Sequence, residues 1–328
     1  MTDYFPEKVL ALLKREGTKI SWANLTFNPW IGCQAVSPAC ANCYAAELAQ
    51  NRLGVTFGPG EARKATADST WSKPWRWDRV AGDAGVQLRV FCASLADWAD
   101  NAVPDEWRAR LANMISGTPN LIWMLLTKRI SNARVMLERM FPDGVPANVW
   151  LGVTVVNQQE ADRDIPRALS VKAGLRIRRL FLSMEPLLGP VDLKTIWLRR
   201  DGQTPTPLSN GLGDNVQPLR GNFVDSPRID MIIVGGESGK AARPIHPVWI
   251  DNLQMDCADA GVAFHFKQWG EFAPWQPGTG REPVWVSSTE AMIRADRAHP
   301  NDAPMIRVGT SRAGRTLRGK EYQEMTAC

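Results

Sequence analysis

A chain of 328 residues that is 44% hydrophobic and 22% charged has enough apolar mass for a full core, which excludes a disordered or fibrous polypeptide. No apolar run approaches the ~18 residues of a membrane span, so no membrane partner is expected. The formal net charge of +5, from 39 Lys and Arg against 34 Asp and Glu, permits an anionic partner without demanding one.

Residues 1–17 pattern as a short helix with a polar face (Glu7, Lys8, Lys14, Arg15, Glu16) and lack the layout of a signal peptide. A reducing cytoplasm is therefore expected, where clustered cysteines mean metal or redox chemistry. A first strand over residues 21–27 runs into a loop that carries Cys33, Cys40 and Cys43. The spacing is C-x6-C-x2-C, with no fourth cysteine nearby. Three thiolates from one loop can hold a [4Fe–4S] cluster and leave one iron open to a small molecule. A structural zinc site, completed by a distant Cys or His, is the competing reading. Pro29 and Pro38 stiffen the loop. A helix from Tyr44 onward would turn its N-terminus toward an anionic cluster.

Six further apolar runs, near residues 90–97, 121–129, 149–157, 179–186, 231–238 and 263–268, read as strands buried on both faces. Helical patterns over 105–116, 131–141, 158–169 and 248–260 separate several of them. This alternation predicts an α/β fold of about seven strands, a partial or full parallel (β/α) barrel, with a doubly wound open sheet as the alternative. Residues 199–228, rich in Gly, Pro, Asn and Ser, read as a long insertion loop. The barrel is expected over 1–270, followed by a C-terminal extension over 271–328 with a basic run from Arg307 to Lys320.

In parallel β/α folds, functional groups gather at the C-terminal ends of the strands. Polar residues mark those ends here: Ser94 and Asp97; Thr127, Lys128 and Arg129; Thr154, Asn157 and Gln158; Ser183 and Glu185; Gly235, Gly236, Glu237 and Ser238; Lys267 and Gln268. The two glycines let backbone amides approach a ligand. Glu185 and Glu237 could accept from the amino group and sugar of an adenosyl cofactor. The candidate cofactor-binding residues are Ser94, Asn157, Glu185, Gly235, Gly236, Glu237 and Ser238, and the candidate catalytic residues are Lys267 and Glu185. The competing reading is a structural ion pair of these carboxylates with Lys267 or Arg129. His246 is placed within reach of the mouth, His265 inside the core. Cys92 and Cys257 read as core residues, and Cys328 is isolated.

The chain resembles a phage- and prophage-associated three-cysteine-motif family. The resemblance is carried by residues 28–45, by Gly152–Val155 with Asn157 and Gln158, by Phe181–Pro190, by Val234–Gly239 with Arg243-Pro244 and His246-Pro247, and by Phe264–Gly270. That family in turn resembles the radical S-adenosylmethionine superfamily, although the usual spacing there is C-x3-C-x2-C. The resemblance implies a (β/α)6-type partial barrel with Cys33, Cys40 and Cys43 as cluster ligands. It implies S-adenosylmethionine across the strand ends, in contact with Asn157, Glu185 and Glu237. It further implies a 5′-deoxyadenosyl radical that abstracts hydrogen, a flavodoxin- or ferredoxin-like reductant, and a DNA or modified-nucleotide substrate in a phage-infected bacterial cytoplasm. Two other functions fit the residues: a non-enzymatic zinc or iron–sulfur nucleic-acid-binding protein, and a metal-dependent hydrolase using Asp97, Glu185 and Glu237.

Overall fold

The structure is a computed structural model and describes residues 5–194, 196–198, 206–207, 227–278, 280–294, 296 and 299–326. Seven apolar runs become one parallel sheet: β1 (Leu25–Phe27), β2 (Leu88–Cys92), β3 (Leu121–Thr127), β4 (Val149–Thr154), β5 (Arg179–Met184), β6 (Met231–Gly235) and β7 (Ala263–Gln268). Their spatial order equals their chain order and every pairing is parallel. A doubly wound sheet would reverse direction at a switch point. The architecture is therefore the partial (β/α) barrel. Its two edges do not pair through backbone. Instead Ser21 Oγ, just before β1, lies 2.8 Å from His265 Nε2 on β7. The sheet curls until one side-chain hydrogen bond joins its rims.

Alternation along each strand divides the core in two. Phe91, Ile122, Met124, Trp150, Phe181, Met231 and Ile233 point inward with Trp22 and fill the trough. Their neighbours, such as Val90, Trp123, Leu151 and Leu182, point outward beneath the helices. Gly152 on β4 keeps the trough closed, because the Phe181 ring occupies the place a Cβ would take.

Helices α1 (Glu7–Glu16), α2 (Tyr44–Leu48), α3 (Lys73–Asp83), α4 (Asp105–Gly117), α5 (Ile130–Met140), α6 (Gln158–Gly174) and α7 (Pro247–Ala260) complete the frame. The expected helices appear with shifted ends. α6 runs beyond residue 169 because Val171 is also buried, and it accommodates Pro166 inside the helix. α3 is absent from the sequence reading: its buried face is only Pro74, Trp77 and Ala81 among charged residues. β1 is shorter than residues 21–27, because Ser21 and Trp22 lie in a turn.

After β7 the chain forms a small antiparallel sheet from β8 (Phe272–Pro274), β9 (Val284–Val286), β10 (Ile293–Arg294) and β11 (Ala303–Arg307). The final residues return to β7, where Phe266 N–H donates to Tyr322 O at 2.9 Å. The basic run is not a free cationic tail. Arg307 donates to the carbonyls of Gly239 and Lys240, both at 2.7 Å, and Arg318 pairs with Asp251 at 2.7 Å. Apart from Thr206, Pro207 and its last two residues, the expected insertion at 199–228 lies outside the described residues, as does Cys328. Among the described residues, no helix is long and apolar enough to cross a membrane.

His246 is not at the barrel mouth. It is buried and caps α7, with Nδ1 accepting from Val248 N–H at 3.2 Å and Nε2 3.0 Å from Asn301 O. Cys92 and Cys257 are buried, as expected. His265 is fully buried, and burial lowers its pKa from 6.5 to about 4, with Glu185 opposing and Arg89 and Lys267 adding to the shift. Between those values the unfolded chain binds a proton that the folded chain refuses. Stability from this group is complete above pH 6.5 and falls as pH drops toward 4, by roughly 2 kcal/mol at about pH 5. Urea unfolding at the two pH values should show this loss in the wild type and a smaller loss in His265→Gln. Equal pH sensitivity in both proteins would refute it.

Candidate functional site

Beyond β1, the residues Trp30–Ile31 pair with Lys64–Ala65, and Gly32 then turns the chain into the cysteine loop. Gly32 has φ +117°, a region that favours glycine, and a Cβ there would lie 3.0 Å from the Arg63 side chain. Ser37 caps the single turn Pro38–Cys40, its Oγ accepting from Ala39 N–H at 3.1 Å. Cys43 is the N-cap residue of α2, and its side chain makes no capping bond. α2 has only five residues before it widens into the π-turn Ala49–Leu53, so it carries less dipole than the expected helix.

Cys33, Cys40 and Cys43 are free and half-buried, and all three face one cavity of about 420 Å³ at the C-terminal ends of the strands. Strand parity accounts for much of what the strands add to the lining. Counting by two from the inward aromatics of β2, β4 and β5 reaches Ala93, Thr154, Ser183 and Glu185; the same parity on β3 and β7 gives Leu126, Lys128 and Lys267. Ser94, Glu185 and Lys267 are thus brought together with the three cysteines. Asn157, Gly235, Gly236, Glu237 and Ser238 are not part of this lining.

Those five residues have other partners. Asn157 caps α6, its side chain accepting from Glu160 N–H at 2.9 Å. A Cβ on Gly235 would come within 2.8 Å of Glu185 Oε1, and one on Gly236 would collide with the Trp269 carbonyl. Both glycines therefore serve close packing between strand ends. Ser238 Oγ accepts from Gln268 Nε2 at 3.4 Å.

Glu237 is buried and joins the cysteine loop to the strand β6 exit. Its Oε2 accepts from Asn42 Nδ2 at 3.0 Å, from Arg243 N–H at 2.8 Å and from Arg243 Nε at 2.9 Å, while Oε1 accepts from Arg243 Nη2 at 2.6 Å. Asn42 lies between Cys40 and Cys43, and Arg243 Nη2 also donates to Pro38 O at 3.0 Å. Burial is the largest single influence and pushes the Glu237 carboxyl up, but these bonds together outweigh it and hold the carboxyl below the ordinary range. Spacing gave no hint of this latch, although Glu237 and Arg243 both fall in the motif region.

Inside the cavity, Glu185 Oε1 lies 2.9 Å from Lys267 Nζ and Oε2 accepts from Trp22 Nε1 at 3.2 Å. The Oε1 contact is an ion pair outside hydrogen-bond alignment. This is the structural pair that competed with a catalytic role. Lys128 Nζ is 3.4 Å from Thr154 Oγ1 and has no carboxylate partner among the described residues. Cys33 Sγ accepts from Arg129 Nη1 at 3.4 Å. Burial raises the Cys33 thiol pKa, Asp97 adds to the shift and Arg129 opposes it.

Among the described residues, no three His, Cys, Asp or Glu side chains gather as ligands of a metal ion. The donor set still fits a cluster: three unbridged thiols on one loop, with no protein partner for the Cys40 and Cys43 sulfurs among the described residues, facing a cavity rather than the core.

Truncating Arg243 to Ala would leave the buried Glu237 carboxylate without its cation, with only the bonds from Asn42 and the backbone N–H of residue 243 remaining, at a cost of about 3 kcal/mol. Pairing it with Glu237→Gln should recover part of that loss in urea unfolding, and purely additive losses would show that the two side chains do not act together.

No curated protein matches the chain. Among solved structures, a double mutant of spore photoproduct lyase with bound AdoMet and dinucleoside spore photoproduct is similar at 17% identity, with a TM-score of 0.37. The similarity covers 53% of this chain and 48% of that one, so the chain spans about half the length of that structure. A family profile described as Protein of unknown function (DUF5131) matches residues 17–326, taking in both the barrel and the C-terminal sheet. The chain belongs to the DUF5131 family.

Proposed function

We propose that the chain is a radical S-adenosylmethionine enzyme. The observation that carries this reading is the convergence of Cys33, Cys40 and Cys43 on one cavity that also holds Glu185, Lys267 and Ser94 at the strand ends. The three cysteines would hold a [4Fe–4S] cluster. When bound, the reduced cluster and S-adenosylmethionine supply a 5′-deoxyadenosyl radical that abstracts hydrogen from a substrate, with the electron drawn from a flavodoxin- or ferredoxin-like donor.

The residues of the chain bind, orient and exclude water. Glu185 is fixed by Lys267 and Trp22, so its carboxylate stands ready to accept from an ammonium or a hydroxyl. Lys267 holds a positive charge beside it and carries protons at Nζ. Ser94 is oriented by Asn28, whose Nδ2 donates to its Oγ at 3.0 Å. Trp22, Phe91 and Leu126 form an apolar wall that excludes water. We assign direct cofactor contact to Ser94 and Glu185. Asn157, Gly235, Gly236, Glu237 and Ser238 shape the strand ends from outside the cavity.

The substrate proposed is a base in DNA or a modified nucleotide. The apolar wall, the Lys128 ammonium with no carboxylate partner among the described residues, and the net charge of +5 support it. The phage setting rests on the three-cysteine-motif resemblance alone.

Anaerobic reconstitution should give brown protein with about four irons per chain and absorbance near ~400 nm. Reduction in the presence of S-adenosylmethionine should release 5′-deoxyadenosine, and Cys33→Ala, Cys40→Ala or Cys43→Ala should each abolish it. A colourless zinc-loaded protein that binds DNA without cleaving the cofactor would establish the non-enzymatic alternative. Activity that needs magnesium or manganese and survives all three cysteine substitutions would establish a hydrolase.

DNA binding measured between 50 and 200 mM salt should weaken by roughly tenfold or more if phosphates are contacted. Salt-insensitive binding, or none, would point to a free nucleotide or another small metabolite.

A further inference from the structure

We propose that Arg129 raises the reduction potential of the cluster held by Cys33, Cys40 and Cys43, through its guanidinium hydrogen bond to the Cys33 sulfur. This rests on the cluster reading above.

Arg129 is the second residue beyond β3, and its side chain is only 8% exposed. Nη1 is 3.4 Å from Cys33 Sγ and 3.0 Å from Asp97 Oδ2, while Nη2 donates to Gln34 O at 2.9 Å. Asp97 is itself immobilised. It accepts from Thr127 Oγ1 at 2.7 Å, from Ala99 N–H at 3.0 Å and from Lys128 N–H at 3.0 Å. Asp100 lies 4.0 Å from Arg129 Nε, and its Oδ2 is paired with Arg63 at 2.8 Å. Two guanidinium groups and two carboxylates thus form a buried network whose charges cancel.

That balance has a consequence for Cys33. The network keeps Arg129 in place without help from the thiol, so the guanidinium is present and charged before any ligand binds. Anchoring of the loop is already met by the bond to Gln34 O. The Nη1 contact with sulfur is additional, and it falls on one ligand only: the Cys40 and Cys43 sulfurs have no such donor among the described residues. Hydrogen bonds and positive charge at a ligand sulfur favour the more negative, reduced state of a cluster. Asp97 and Asp100 offset the guanidinium charge, so what Arg129 supplies to Cys33, at every working pH, is the hydrogen-bond donor.

The test uses the reconstituted full chain without S-adenosylmethionine and reads the midpoint potential by EPR-monitored titration, with iron content alongside. Arg129→Gln is expected to keep its iron and to shift the potential to a more negative value. Arg129→Lys, which keeps a charge but not the planar fork, should recover part of the shift. An unchanged potential in an iron-replete Arg129→Gln protein overturns the proposal and leaves the cluster reading intact. Wild-type protein that takes up no iron overturns both. If Arg129→Gln fails to hold iron, wild-type protein grown with 15N-guanidino arginine decides. Pulsed EPR should then show a nitrogen coupling to the reduced cluster, and absence of that coupling overturns the proposal.

Discussion

Alternation along parallel strands is the constraint on which the candidate site depends. A curled parallel sheet has an inside and an outside, and each strand sends every second residue inward. The same rule that fills the trough with Trp150, Phe181 and Met231 lower down brings Thr154, Ser183, Glu185 and Lys267 to its upper end. A single-residue slip in β5 would bury Glu185 among the apolar groups beneath the helices and turn Met184 toward the cavity. The glycines follow from the same geometry. Gly235 is small because the inward position on the next strand belongs to Glu185.

The cysteine loop is then held from two sides by arginines. Arg129 grips the Cys33 end through Gln34 O, and Arg243 grips the Cys40 end through Pro38 O. Each arginine is itself held by a buried carboxylate, Asp97 for one and Glu237 for the other. The loop therefore keeps its shape through protein contacts, which reduces the ordering that a ligand must impose on binding.

Much of this was legible in the sequence. The seven apolar runs, the helices between them and the loop of three cysteines all appear where the patterns put them, because buried strands and amphipathic helices leave strong periodic signals. Helix α3 left none, since its buried face is three residues wide among charges. The site was legible in part. Glu185 and Lys267 reach the cavity as parity requires, and parity could have set Asn157 apart; Ser94 reaches it against parity, and Glu237 has inward parity yet turns away to Asn42 and Arg243. The partners of Glu237 could not be read, because Asn42 and Arg243 meet it through loop geometry that no local pattern encodes. The partners of the basic run were hidden for the same reason: carbonyls and carboxylates from distant segments engage Arg307 and Arg318.

One feature at the far end of the fold bears on how the chain assembles. Among the described residues, the outer edge of β7 is met by the stretch near residue 322: a backbone bond to Tyr322 O, a bridge between His265 and Gln323, and Glu324 N–H on Phe264 O at 3.3 Å. These partners lie more than fifty residues beyond β7, with the small antiparallel sheet between them. Such long-range closure slows folding and leaves a ribbon edge open to other nascent chains in the meantime. Completion of that edge in this sense depends on contacts more than fifty residues away in the chain.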